Sequence, residues 1–134
     1  MLKSFRELEV WQKAHTLVLD IYRVTDGFPD RERFGIAAQL RRAAASIAAN
    51  IAEGFGRRTT KELLQSIAVS NGSLEETRYF LILSNELHYL KLDHYNRLDH
   101  QCNRVAQMLS ALARSLKNRT RTVHGTRATG RGSR

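Results

Sequence analysis

One proline, one cysteine and one tryptophan stand among the 134 residues. Scarce proline leaves long segments with every backbone donor in place. The abundant Ala, Leu, Arg and Glu lose little freedom in a helix, so an all-α chain is expected. A single cysteine excludes an internal disulfide and a cysteine-based metal cluster. Cys102 is expected to be a small core residue in a reducing cytoplasm. Long apolar runs are missing as well: the charge-free stretch Ala43 to Ala52 is too short to cross a bilayer. The opening MLKSFRELEVWQK lacks the apolar segment of a secretory signal. A soluble, cytoplasmic protein with no membrane role is the expectation.

What is present is positive charge and enough apolar residue for one core. The hydrophobic fraction is 42% and the net charge is +9. Thr120 onward, TRTVHGTRATGRGSR, holds four arginines and no acid, and removing it leaves +5 on residues 1–119. That segment has one large aliphatic residue, Val123, which is too little apolar surface to order it. Residues 1–119 therefore read as a folded domain and 120–134 as a disordered basic arm. Such an arm can hold phosphate backbones without reading sequence, or serve only solubility.

Hydrophobic spacing divides the domain into four helices. Leu8, Trp11, His15, Val18, Ile21, Tyr22 and Thr25 mark a first helix from about Ser4 to Asp26, closed by Asp26-Gly27-Phe28-Pro29 with glycine in a left-handed turn. Asp30 is the expected cap of a second helix running to about Gly54, with Phe34, Ala37, Leu40, Ala44, Ile47, Ala48, Ile51 and Phe55 on its apolar side. Its many alanines invite close approach by another helix. Thr59-Thr60-Lys61-Glu62 has the capping-box pattern and opens a third helix to about His88. Gly72-Ser73 in that helix implies a tight crossing that offsets the glycine. Asp93 is the expected cap of a fourth helix carrying Leu98, Cys102, Val105, Leu109, Leu112 and Leu116. Long helices joined by short links must alternate in direction, which predicts an antiparallel up-down-up-down four-helix bundle.

One stretch of the second helix is polar where close packing would favour apolar residues. Arg42, Ser46, Asn50, Glu53 and Arg57 fall within about 80° of one another on a helix, and the band ends at Gly54-Phe55-Gly56, where the glycines should let the chain reverse. The band reads as a solvated face, as polar contacts inside the bundle or between subunits, or as a ligand site. Arg42 with Glu53 is the pair singled out. Gly54 to Arg58 is no phosphate loop, because it follows a helix and lacks the required lysine and hydroxyl. The five histidines show no metal-binding spacing, so no metal site or cofactor is expected. Arg119 and His124 have the spacing used by HEPN-type four-helix ribonucleases. They lie where the fourth helix passes into the tail, with nothing to hold the imidazole near a phosphate.

Several separated motifs then agree in order. VWQKAHTLVLDIYRVTDGFP, followed by IAAQLRRAAASIAANIAEGFGRRTTKELLQSIAVSNGSLEETRYFL, resembles the 23S rRNA intervening-sequence proteins over about Leu8 to Leu116. The resembling positions are Trp11, Lys13, Ala14, Gln39, Arg41, Arg42, Ser46, Asn50, Glu53, Gly54, Gly56, Arg57, Glu62, Gly72, Ser73 and Glu76. The resemblance implies a four-helix bundle assembled as a homopentamer, often encoded within insertions in large-subunit ribosomal RNA genes. Through a related branch, the accessory variability proteins of diversity-generating retroelements, it implies a basic oligomer that engages nucleic acid and a reverse transcriptase. The tail after Asn118 is not part of that pattern.

These readings converge on a non-enzymatic, oligomeric bundle that binds nucleic acid, structured RNA first, through charge. Arg31, Arg33, Arg41, Arg57, Arg58, Lys61, Arg121 and Arg127 are the expected phosphate contacts. Arg42, Ser46, Asn50, Glu53, Gly54 and Gly56 are expected to be structural or interface residues. No aromatic-interleaved basic motif argues for sequence reading. The alternative is a homo-oligomeric scaffold for a protein partner, or an accessory to a nucleic-acid enzyme such as a reverse transcriptase.

Overall fold

Ser4 does begin ordered structure, but as a short turn ahead of the first helix. In the computed structural model, which describes residues 2–132 and the side chains of 2–119, a 3-10 turn spans Phe5–Glu7. Ser4 Oγ accepts from Arg6 N, while Glu7 Oε2 accepts from Lys3 N at 2.6 Å and from Ser4 N. Leu8 is extended, and α1 (Glu9–Thr25) starts only after it. The turn folds back on α1, setting Phe5 edge-on against Trp11, which stacks on His15 with ring centroids 4.9 Å apart. The face of α1 that is fully buried is Val10, Ala14, Leu17, Val18, Ile21 and Thr25. Trp11 and His15 flank that face, and Tyr22 is exposed.

The link to α2 (Ile36–Phe55) corrects two expectations. Asp30 opens a second 3-10 turn, Asp30–Glu32, instead of capping α2. The nearby carboxylate at the start of α2 is Glu32, whose Oε1 accepts from Ile36 N at 3.3 Å while Oε2 accepts from Tyr89 Oη at 2.9 Å. Phe34 lies two residues ahead of α2, so it is not on the helix's apolar side and is 88% exposed.

Helix α3 (Thr60–Glu86) is capped by Thr59, whose Oγ1 accepts from Glu62 N at 3.1 Å. Apart from Ser66, its buried side chains follow a seven-residue repeat: Ile67, Leu74 and Leu81 in one row, Ser70, Thr77 and Ser84 in the other. The turn into α4 (Leu92–Gly132) places His88 at φ 63°, with Tyr89 N donating to Ser84 O at 2.9 Å. This reverse turn uses a histidine in the left-handed region, where glycine would be unstrained. Among the described residues no glycine has a positive φ. Gly27, Gly54 and Gly56 therefore do not supply the left-handed turns that the sequence suggests. Asp93 lies inside the first turn of α4 instead of before it. The division expected at 119 falls inside α4, whose backbone is helical to Gly132, and the side chains beyond 119 lie outside those described.

Pairs of contacts give the helix directions. Between α2 and α3, Gly54 lies against Ser66, Ile47 against Ser70, Ser46 against Ser73 and Arg42 against Glu76, so one chain runs down as the other runs up. Between α1 and α4, Asp20 meets Gln101 while Glu9 lies near Arg104, again in opposite order, and α3, which turns back into α4 after Glu86, meets it through Arg78 and Asn103. Each helix packs on two neighbours, while α1 and α3, and α2 and α4, stay apart. The result is an antiparallel four-helix bundle around Leu17, Ile21, Leu40, Ile47, Leu74, Leu81, Leu98 and Leu109. Cys102 is fully buried, and that burial pushes its thiol up to about 12.

The α2–α3 seam is the tightest. A methyl group at Gly54 would stand 2.9 Å from Ser66 Cβ and 3.0 Å from Leu63 Cδ1, whereas one at Gly56 would meet nothing nearer than Glu53 O at 3.5 Å. Gly72 has open space around it, so the tight crossing expected there lies at Ser73 and Gly54 instead.

Two measurements check this packing. Gly54→Ala should lower unfolding free energy by about 1–3 kcal/mol through overpacking, while Gly56→Ala should be neutral or slightly stabilising in the same denaturant titration. Cys102 should resist a thiol reagent in the native state at neutral to mildly alkaline pH and react at the rate of unfolding. Because its folded pKa is raised, the stability it carries is intact below the unfolded value of about 8.5 and declines as pH climbs from there towards about 12.

Candidate nucleic-acid interface

The polar band of α2 is built into the α2–α3 seam. Arg42 donates through Nε and Nη2 to Gln39 Oε1 at 3.1 and 3.0 Å and pairs with Glu76 on α3. Ser46 Oγ and Ser73 Oγ are 2.8 Å apart. Asn50 Nδ2 donates to Ser46 O at 2.8 Å and to Ser46 Oγ at 3.1 Å. Glu53 pairs with Arg57 one turn on. Arg42 and Glu53 do not meet: eleven residues of helix separate them by about 16 Å, and each has its own partner. Below the band, Asn50, Glu53, Arg57, Gln65 and Val69 border a cleft of about 280 Å³.

The expected phosphate contacts fall at opposite ends of the bundle. Arg31, Arg33 and Arg41 sit at the α1–α2 end, Arg57, Arg58 and Lys61 at the α2–α3 end, with the twenty residues of α2, about 30 Å, between them. They differ in how far they are already engaged. Arg41 Nε donates to Thr25 Oγ1 at 2.7 Å, and its Nη2 donates to Asp26 Oδ1 at 2.8 Å and to Tyr22 O at 3.2 Å. Its guanidinium lies 4.7 Å from the Tyr22 ring centroid. Arg41 thus clamps the C-terminal turn of α1, whose carbonyls attract a cation. Arg57 is held by Glu53, whereas Arg31, Arg33, Arg58 and Lys61 have no ion pair among the described residues. Arg121, Arg127 and His124 lie outside the described side chains.

A third basic surface went unread in the sequence. Between Arg97 and Arg119 the chain carries Arg97, Arg104, Arg114, Lys117 and Arg119 against a single acid, Asp99. Arg97, His100, Arg104 and Arg114 are all exposed and recur at helical spacing opposite the buried Leu98, Cys102, Val105 and Leu109. Lys13 of α1 faces the same groove, a cleft of about 320 Å³ bordered by Lys13, Thr16, His100, Gln101 and Arg104. Glu9, 4.0 Å from Arg104, is the acid at its edge. Its signal in the sequence is the spacing of charges on α4, on the side of the helix away from the apolar period.

An antiparallel four-helix bundle with a polar seam and basic outer surfaces is the class that this geometry defines. Among the described residues no cluster of metal-ligating side chains occurs, and no helix is long and apolar enough to cross a membrane. The family model described as 23S rRNA-intervening sequence protein matches residues 6–111, and the chain belongs to that family. The fold is similar to the crystal structure of a protein with unknown function from the S23 ribosomal protein family of Bacteroides thetaiotaomicron. The two share 19% identity over 77% of this chain and 96% of that one, with a TM-score of 0.73. No curated protein matches.

A double-mutant cycle tests the band. Arg42→Ala with Glu76→Ala should show a coupling of about 0.2–1 kcal/mol, the range for an exposed pair, while Arg42→Ala with Glu53→Ala should be additive in the same unfolding experiments.

Proposed function

We propose that this protein is a non-enzymatic, self-associating bundle that binds nucleic acid, structured RNA above all, through charge. The observation that carries the reading is the acid-poor basic face of α4 with Lys13 beside it. Its guanidinium groups sit about 10 Å or more apart along roughly 25 Å of helix, so they can meet separate phosphates spread along one backbone. The family's description as an rRNA-intervening sequence protein supports RNA as the partner.

Self-association is supported by the outer face of α3. Val69, Gly72, Glu76 and Tyr79 recur at three- and four-residue spacing. Val69 is 48% and Tyr79 57% exposed, and the space beside Gly72 is open. That is a surface on which another helix could lie closely, and the resemblance to homopentameric relatives suggests five copies. The same face favours the second reading, a scaffold on which a protein partner docks, for instance a nucleic-acid enzyme such as a reverse transcriptase.

The test is the affinity of the full chain and of a 1–119 truncation for an RNA hairpin across a salt series, with oligomeric mass recorded. Both forms should bind, the affinity falling steeply with salt. The triple variant Arg97→Glu, Arg104→Glu, Arg114→Glu should lose roughly three from the log-log salt slope, with the oligomer intact. An unchanged slope in the triple variant would move the contact away from α4. Absence of binding near physiological salt would leave the scaffold as the better account.

A further inference from the structure

At the end of the bundle where α1 passes to α2 and α3 to α4, the fold brings the arginines of the α1–α2 link together with aromatic rings of α1, the link and the α3–α4 turn. Arg31 Cζ lies 5.8 Å from the Tyr89 ring centroid, Arg33 Cζ 5.7 Å from that of Phe34, and Arg41 Cζ 4.7 Å from that of Tyr22. Tyr89 packs on the buried Phe28, with centroids 5.7 Å apart, and its hydroxyl is held by Glu32, so this ring is fixed. Phe34 is different. It makes no ring contact with another aromatic among the described residues, it is 88% exposed, and a single arginine accompanies it.

A phenylalanine in water with a guanidinium over one face keeps its other π-face unused next to a positive charge. Those are the two components of a platform for unpaired bases: the ring stacks the base, and the cation meets its phosphate. The acids at this end do not cancel the arrangement. Asp26 is taken by Arg41, and Glu32 by Tyr89 and the amide of Ile36, which leaves Arg31 and Arg33 without a carboxylate partner among the described residues. Asp30 borders a cleft of about 270 Å³ together with Arg33 and Arg41. There its carboxylate can accept from the exocyclic amine of a base.

We propose that this end of the bundle binds unpaired bases of single-stranded RNA, with Phe34 as the stacking ring and Arg31 and Arg33 as the phosphate contacts. The proposal rests on the nucleic-acid reading above and adds to it a preference for unpaired nucleotides at one defined surface. It separates two labours: the α4 face holds backbone by charge, and the Phe34 end holds bases by contact.

The experiment compares the full chain and three single variants against an oligoadenylate of about 12 nucleotides, within the site sizes of stacking platforms, and an RNA duplex of similar length. Phe34 is so exposed that its replacement leaves the core untouched. Phe34→Ala and Phe34→Leu should both weaken oligoadenylate binding by roughly fivefold to 100-fold. Phe34→Trp should retain it, and none should alter duplex affinity or oligomeric mass. The loss should persist at high salt, since stacking releases no counterions. If the duplex binds but Phe34→Ala takes oligoadenylate as the parent does, the stacking proposal is overturned while the nucleic-acid reading stands. If Phe34→Leu keeps full affinity, or if Phe34→Ala changes the oligomeric mass, Phe34 is an apolar protein contact and the proposal fails. If the parent chain binds neither probe, both fall together.

Discussion

Helix α2 meets α3 through glycine, alanine and serine, and the placement of the other elements depends on that closeness. Small side chains bring the backbones near enough for Ser70 Oγ to reach across and donate to Ile47 O at 2.9 Å, using the carbonyl lone pair that the helix leaves free. Other buried hydroxyls of α3 answer their own helix: Thr77 donates to Ser73 O and Ser84 to Phe80 O. Hydroxyls that satisfy themselves in this way can stand in a core without a partner from the neighbouring helix. They fill little volume, so the seam stays narrow. Large aliphatic side chains are then left to Ile67, Leu74 and Leu81, which point to the common core with Leu17, Leu40 and Leu109.

A narrow seam has a consequence for charge. Residues at its rim are close enough to bond across it, and Arg42, Ser46 and Asn50 are bound to one another or to Ser73 and Glu76. These polar groups are therefore engaged with the bundle itself. The excess positive charge is carried elsewhere, on α4 and at the two ends. Geometry thus separates residues that look alike in the sequence. Arg41 and Arg33 are both arginines near the start of α2, yet one closes the C-terminal turn of α1 and the other lies beside an exposed ring.

The class of fold was legible because it rests on period alone. Four apolar repeats of helical spacing with short links must alternate in direction, and Leu98, Cys102, Val105, Leu109 and Leu116 of α4 are buried where their spacing puts them. Boundaries and local chemistry were less legible. Phe34 has the right spacing for α2 but precedes its start, because the 3-10 turn at Asp30–Glu32 consumes residues that a pattern assigns to the helix. Gly54 reads as a helix breaker, yet it is a helical residue whose missing side chain admits Ser66 and Leu63. Its role is set by a segment a dozen residues away, which no local rule contains. His88 is the converse: the left-handed turn exists, but a histidine occupies it.

The candidate surfaces divide along the same line. Charge on one helix face is a matter of spacing, so the α4 stripe could have been read from the sequence. At the Phe34 end the sequence already offers Arg31 and Arg33 beside Phe34, whereas Tyr89 reaches Arg31 across 58 positions and only chain reversal makes them neighbours. Regular elements are specified by local repeats, while a site assembled from link residues is specified by where several helices end. In this bundle the helix ends are fixed by the α2–α3 seam: its register sets where α2 begins relative to the α3–α4 turn, and Glu32 ties the two by accepting from Tyr89 and from the first amide of α2. The constraint that keeps the seam narrow therefore also sets the geometry of the surface farthest from Gly54.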